Sequence, residues 1–86
     1  MSITTQQAHD MLARHIRLIA PDADLEGLAP DADLRRTFEL DSLDFLELVE
    51  RLSKDAGVRI DEEDYPALRT MESCQAFLVA RTAALG

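Results

Sequence analysis

The sequence predicts an all-α fold: a four-helix bundle of three long helices and one short third helix, with a long loop between helices 1 and 2. Three observations carry this. Apolar residues recur near a 3.6-residue period in three separate stretches. Each stretch is bounded by capping or helix-breaking residues. No alternation of period two persists long enough for a half-buried strand. A chain of 86 residues is expected to form a single domain over 1–86.

The first helix is expected from Thr4 to about Ala20, with Ala8, Met11, Leu12, Ile16 and Ile19 on one stripe. Thr4 and Gln7 have capping-box spacing, in which each side chain satisfies a free backbone N–H of the helix start. Pro21 ends the helix, because the residue before a proline is pushed out of the helical region. From Pro21 to Leu40 the period is lost. Pro21, Gly27 and Pro30 interrupt it, and Asp recurs at 22, 24, 31 and 33. About 20 residues is long for a loop in a small domain. Leu25, Leu28, Leu34, Phe38 and Leu40 are expected to pack it down, around at most a short helical turn.

The second helix is expected from about Ser42 to Ala56. Winding it at about 100° per residue puts Phe45, Leu48, Val49, Leu52 and Ala56 on one face. Asp44, Glu47, Glu50, Arg51, Lys54 and Asp55 fall on the other. Gly57 supplies the left-handed residue that commonly stops a helix, and Val58-Arg59-Ile60 forms an extended connector. A brief third helix follows from Asp61 or Glu62 to Tyr65, cut by Pro66. Thr70 can cap the last helix, which runs to about Leu85 with Met71, Cys74, Phe77, Leu78 and Leu85 inward.

Charge narrows the partners. Seventeen acids against nine bases give a net charge of −8. The excess is concentrated: Asp22 to Asp64 holds fifteen acids and five bases, a net of −10. Nucleic acid is excluded as a partner, because phosphate binding needs clustered Lys and Arg. Basic proteins or cations are the natural partners of the middle of the chain. No apolar run approaches the ~20 residues of a membrane span, so no membrane insertion is expected. The start of the chain lacks a secretory pattern, and a single cysteine suits a reducing, cytoplasmic setting.

The start of the second helix holds the most suggestive residues. Asp41 suits the N-cap, and Asp44 suits the third helical position, where an acid meets the positive end of the helix dipole. Ser42 then stands at the first helical position with its hydroxyl not consumed by capping. Leu43 falls on the charged outer face. An exposed Ser beside an exposed Leu, flanked by Asp44 and Glu47, has the look of a docking spot. The plain reading is an ordinary cap beside one exposed leucine, which is common. These residues by themselves leave both readings open.

The stretch Phe38-Glu39-Leu40-Asp41-Ser42-Leu43-Asp44, followed by Glu47-Leu48-Val49, resembles the acyl carrier protein family, whose hallmark is Asp-Ser-Leu at the start of the second helix of a four-helix bundle. The resemblance continues through Gly57-Val58-Arg59-Ile60-Asp61-Glu62-Glu63-Asp64 and covers nearly the whole chain. It implies a carrier and not an enzyme, with phosphopantetheine from coenzyme A joined covalently to Ser42 by a phosphopantetheinyl transferase. Asp41 and Leu43 would flank that cofactor. The arm would carry acyl groups as thioesters. Asp41, Leu43, Asp44, Glu47 and Glu50 would meet acyl-transferring or synthase enzymes through basic docking patches. Phe45, Leu48, Val49 and Leu52 would line a slot for the acyl chain. The carrier would be free-standing and monomeric, serving fatty-acid, polyketide or related specialised biosynthesis. The sequence departs from the family at Glu39, where glycine is usual, and at Asp61, where proline often follows the Ile. Arg51 and Lys54 stand where the family is typically acidic, and Arg35-Arg36 add positive charge upstream. These departures favour a specialised carrier with dedicated partners.

Rival readings have residues of their own. Asp22, Asp24, Glu26, Gly27 and Asp33 imitate the spacing of an EF-hand calcium loop. Asp at the last position, Pro30 and Ala29 inside it, and the lack of a second such loop weigh against it, so a solvated acidic loop is expected and no metal site. Asp61-Glu62-Glu63-Asp64 reads as a solvated helix start. Cys74 lies on an apolar stripe and is expected to be buried and inert. His9 and His15 do not share the i, i+4 face of a helical metal site. No Gly-x-Ser-x-Gly elbow is present, so a hydrolase lacks its parts. The alternative from another class is an acidic helical adaptor or cation-binding module without a prosthetic group.

Overall fold

The computed structural model describes residues 3–84. Among the described residues four α-helices follow in order, α1 (Thr5–Ile19), α2 (Leu34–Thr37), α3 (Ser42–Ala56) and α4 (Met71–Ala83), with a 3₁₀ helix over Glu62–Leu68 between the last two. The predicted second helix is α3, and the short turn inside the long loop is α2. Among the described residues there is no strand, only an isolated antiparallel bridge between Asp33 and Thr70.

The helix boundaries follow from local chemistry. Thr4 Oγ1 accepts from the Gln7 N–H at 3.0 Å while Gln7 accepts from the Thr4 N–H at 2.8 Å, closing the first box. Ala20, held outside the helical region before Pro21, ends α1. Gly57 adopts φ +69° at the end of α3, a conformation that a side chain would make costly. Thr70 caps α4 by accepting from the Ser73 N–H at 3.0 Å. Leu85, expected to point inward from the last helix, lies outside the described residues.

One expectation is corrected. Pro66 does not cut the short third helix at Tyr65 but lies inside it. Pro66 has no N–H to offer the carbonyl three residues back, so it removes one 3₁₀ hydrogen bond, while its fixed φ remains compatible with a helical turn. The Arg69 N–H closes the segment on the Pro66 carbonyl at 3.4 Å.

α1 packs on both α3 and α4, and the 3₁₀ helix packs on α4. The core combines Ala8, Leu12 and Ile16 of α1, Leu48 and Leu52 of α3, and Met71, Cys74 and Leu78 of α4. The loop after α1 is packed as its leucines predict: Leu25, Leu34 and Leu40 are buried, and Leu28 and Phe38 lean on them. It is also pinned to the start of α4. The Leu34 N–H donates to the Arg69 carbonyl at 2.8 Å, and the Glu72 N–H donates to the Pro30 carbonyl at 3.0 Å. Those bonds bring the loop, α2 and the end of the 3₁₀ helix together beside the start of α3.

Candidate functional site

Asp41 caps α3 by accepting from the Asp44 N–H at 2.8 Å, and Asp44 accepts from the Asp41 N–H at 3.4 Å. The box satisfies the N–H groups of Asp41 and Asp44 without using the Ser42 hydroxyl. Ser42 is thereby the first helical residue, exposed, with its hydroxyl outside the cap. Leu43 is 77% exposed and Leu46, one turn on, is 45% exposed. Glu47 and Glu50 are exposed, and Glu47 accepts from Arg51 Nε at 2.9 Å, which tempers its charge. Asp44 is half-buried.

Phe45, Leu48, Val49 and Leu52 are all buried. They do not act as one lining. A groove of about 700 Å³ opens beside Ser42, and of these four only Phe45 reaches it. Its floor is Leu40, Phe45, Leu46, Tyr65 and Pro66, and its rim carries Arg35, Arg36 and Arg69 against a single acid, Asp33. Val49 reaches a second groove of about 410 Å³, which shares Leu46 and Tyr65 with the first. Leu48 and Leu52 line neither and serve the bundle core.

The aromatic pair holds the groove's shape. Phe45 and Tyr65 meet edge to face with centroids 5.3 Å apart. Arg35 lies over the Phe45 ring at 5.3 Å, and its Nη2 is 3.4 Å from Ser42 Oγ. Arg69 stays near the rim by pairing with Asp33 at 3.7 Å. The 3₁₀ helix that presents Tyr65 is itself tethered. Arg81 of α4 donates to Asp64 at 3.0 Å and to the Arg59 carbonyl at 2.8 Å. The Asp61 N–H, and after it the Arg81 guanidinium, hold the Asp64 carboxyl below the usual carboxylate range.

The sequence pattern did not single out Leu46, Tyr65 or Arg69 for this place. Leu46 had a signal, since it lies three residues from Leu43 on the same helix surface. Tyr65 and Arg69 had none, because tertiary contacts bring them in: the loop pairs with Arg69, and Arg81 of α4 tethers the 3₁₀ helix that carries Tyr65.

The rival sites take ordinary roles. Asp33 caps α2 by accepting from the Arg36 N–H at 3.0 Å, and Asp24 accepts from the Glu26 N–H at 3.0 Å in a local turn. Among the described residues no three His, Cys, Asp or Glu side chains converge as a cation site. Cys74 is fully buried, and burial pushes its thiol up to about 12. Among the described residues no helix is long and apolar enough to cross a membrane.

A helical bundle that offers an exposed hydroxyl at a helix start, above a groove, has the makings of a carrier domain. The chain matches the family model described as the phosphopantetheine attachment site over residues 11–73, and it belongs to that family. The family binds phosphopantetheine covalently as its prosthetic group and acts as a carrier. No curated protein matches the chain.

Proposed function

We propose that Ser42 is the attachment point of the phosphopantetheine arm and that the chain is a single acyl carrier domain with no catalysis of its own. The observation that supports this most directly is the exposed Ser42 hydroxyl, left free by the Asp41–Asp44 box in a chain of this family. In the attachment step Ser42 Oγ forms a new bond to phosphorus as the pyrophosphate P–O bond of coenzyme A breaks. The nucleotide half departs, and the hydroxyl proton passes to a base of a separate transferase. Neither histidine lines the groove to serve as that base, and His15 is engaged with Asp55 at the far end of α3. When bound, the arm supplies a terminal thiol on which acyl groups travel as thioesters.

Asp41, Asp44, Glu47 and Glu50 form the acidic side of a docking face, and Leu43 with Leu46 forms its apolar centre. Such rim charges favour fast, weak encounters with basic patches, as a carrier visiting several enzymes requires. Phe45, from one groove, and Val49, from the other, are the slot residues placed to touch cargo. Arg51 and Lys54 on the same helix point to dedicated partners in fatty-acid, polyketide or related specialised biosynthesis, in the cytoplasm.

The test is intact mass after incubation with coenzyme A and a broad-specificity phosphopantetheinyl transferase. A phosphopantetheine-sized gain is expected for the wild type and none for Ser42→Ala, with equal helical signal in both. No gain in folded wild type, beside a working control carrier, would leave the adaptor reading.

A further inference from the structure

We propose that Arg35 binds the phosphodiester that joins Ser42 to the arm, an inference that rests on Ser42 being the attachment point. Arg35 Nη2 lies 3.4 Å from Ser42 Oγ. Esterification places phosphorus one bond beyond that oxygen, which brings the two non-bridging oxygens within reach of the same guanidinium. The singly charged diester suits it, because the planar fork of Arg matches phosphate oxygens in pairs.

Arg35 is positioned and underused. Its guanidinium lies 5.3 Å from the Phe45 centroid, and its Nε points at the Leu40 carbonyl at 3.5 Å. Stacking over a ring leaves the edge of the fork, where the N–H groups project, open to a ligand. Its two polar contacts are both long and both to neutral oxygens, while a guanidinium has five N–H donors. In a chain with seventeen acids, Arg14, Arg51, Arg59, Arg69 and Arg81 each pair with a carboxylate. Among the described residues no carboxylate pairs with Arg17, Arg35 or Arg36, and of these three Arg35 is the one whose guanidinium reaches Ser42. The acids that flank Ser42 are Asp41 and Asp44, both committed to the cap. They repel an incoming phosphate, and Arg35 is the cation placed to offset them.

The test starts from wild type, Arg35→Gln and Arg35→Lys, each incubated with coenzyme A and the transferase until intact mass shows complete loading. Wild type that gains no mass overturns the attachment reading and this inference together, and that outcome is visible before Arg35 is probed. On the loaded proteins, the Arg35 Nε–H resonance, the ³¹P resonance of the diester and the thermal midpoint of the loaded against the unloaded form are then compared. In wild type, loading is expected to shift the Nε–H resonance and to raise the midpoint by about 4 °C, the size that one charge-assisted contact gives a domain of this length. Arg35→Gln should lose that gain and move the ³¹P resonance. Arg35→Lys should keep part of the gain, because the charge survives and the fork does not. An unshifted Nε–H resonance, with the same midpoint difference in wild type and Arg35→Gln, would overturn the proposal. Slower loading of Arg35→Gln with that difference unchanged would also overturn it, assigning Arg35 to the transferase encounter.

Discussion

The two ends of α3 are held in opposite ways. At its C-terminal end Asp55 accepts from His15 Nε2 of α1 at 2.8 Å and from Arg14. Gly57 turns the chain, the Val58 N–H donates back to the Ser53 carbonyl at 3.1 Å, and Val58 is buried. At its N-terminal end the helix is stabilised by its own box, and the surface beyond is open: Ser42 and Leu43 face outward, and Leu46 and Phe45 border a groove. Apolar side chains occur at both ends. Whether they stabilise the bundle or present a surface depends on whether another element covers them, not on their place in the hydrophobic pattern.

The sharpest break of that contrast compares two leucines of α3. Leu52 is fully buried, so Leu52→Ala should lose about 2–5 kcal/mol of stability through lost burial and a residual cavity. Leu43→Ala should stay within about 0.5 kcal/mol. Chemical denaturation of both measures the contrast, and similar losses would mean that the N-terminal end is packed as tightly as the middle.

A smaller effect sits on the approach to the open end. Glu39 has φ +53°, the left-handed region that disfavours a side chain. A non-glycine residue there costs about 1–2 kcal/mol, and glycine gives back part of that through a freer unfolded chain. Glu39→Gly should therefore stabilise the domain by about 0.5–1 kcal/mol. An unchanged or lowered denaturation midpoint would show that the Glu39 side chain makes up for its backbone strain.

The smallest effect belongs to the anchored end. The hydrogen bond from His15, and after it the Arg14 guanidinium, hold the Asp55 carboxyl below its ordinary value. A carboxyl depressed on folding contributes stability that is present above its unfolded value of about 3.9 and lost as pH falls through the folded value. Melting between about pH 5 and pH 2 should show a smaller acid-induced drop in Asp55→Asn than in wild type. The difference should be under about 1 kcal/mol, because Asp55 is partly exposed. Parallel curves would mean that α1 and α3 are joined by packing alone.

The sequence was most informative where the chemistry is local. Thr4 with Gln7, Asp41 with Asp44, Gly57 and Thr70 each mark a helix end through partners three residues away or a single backbone conformation, and each is found in that role. The cap position leaves the Ser42 hydroxyl accessible and helical winding turns Leu43 outward, and both residues are exposed. The groove beside them was not legible. Arg69 reaches it where the loop pairs with the segment before α4, and Tyr65 through the 3₁₀ helix that Arg81 tethers to α4, and a sliding period carries no record of either contact. Pro66 misled for a related reason. Proline ends an α-helix through a clash with the carbonyl four residues back, and nothing in the local residues announces that this segment winds as a 3₁₀ helix. The usual glycine before the site is absent from the sequence, yet the backbone keeps the glycine-like conformation at Glu39.

The burial of Cys74 has a consequence for any thiol chemistry at the surface. It is the one cysteine of the chain, enclosed by the core, with its thiol pushed up to about 12. A reactive sulfur on the protein's own body would compete for an activated acyl group, taking it by thioester exchange, or would trap the arm in a mixed disulfide. In the native bundle Cys74 does neither, since it is both inaccessible and protonated. A thiol borne on an arm at the surface would then be the sole competent nucleophile of its kind, and the scaffold beneath it chemically silent.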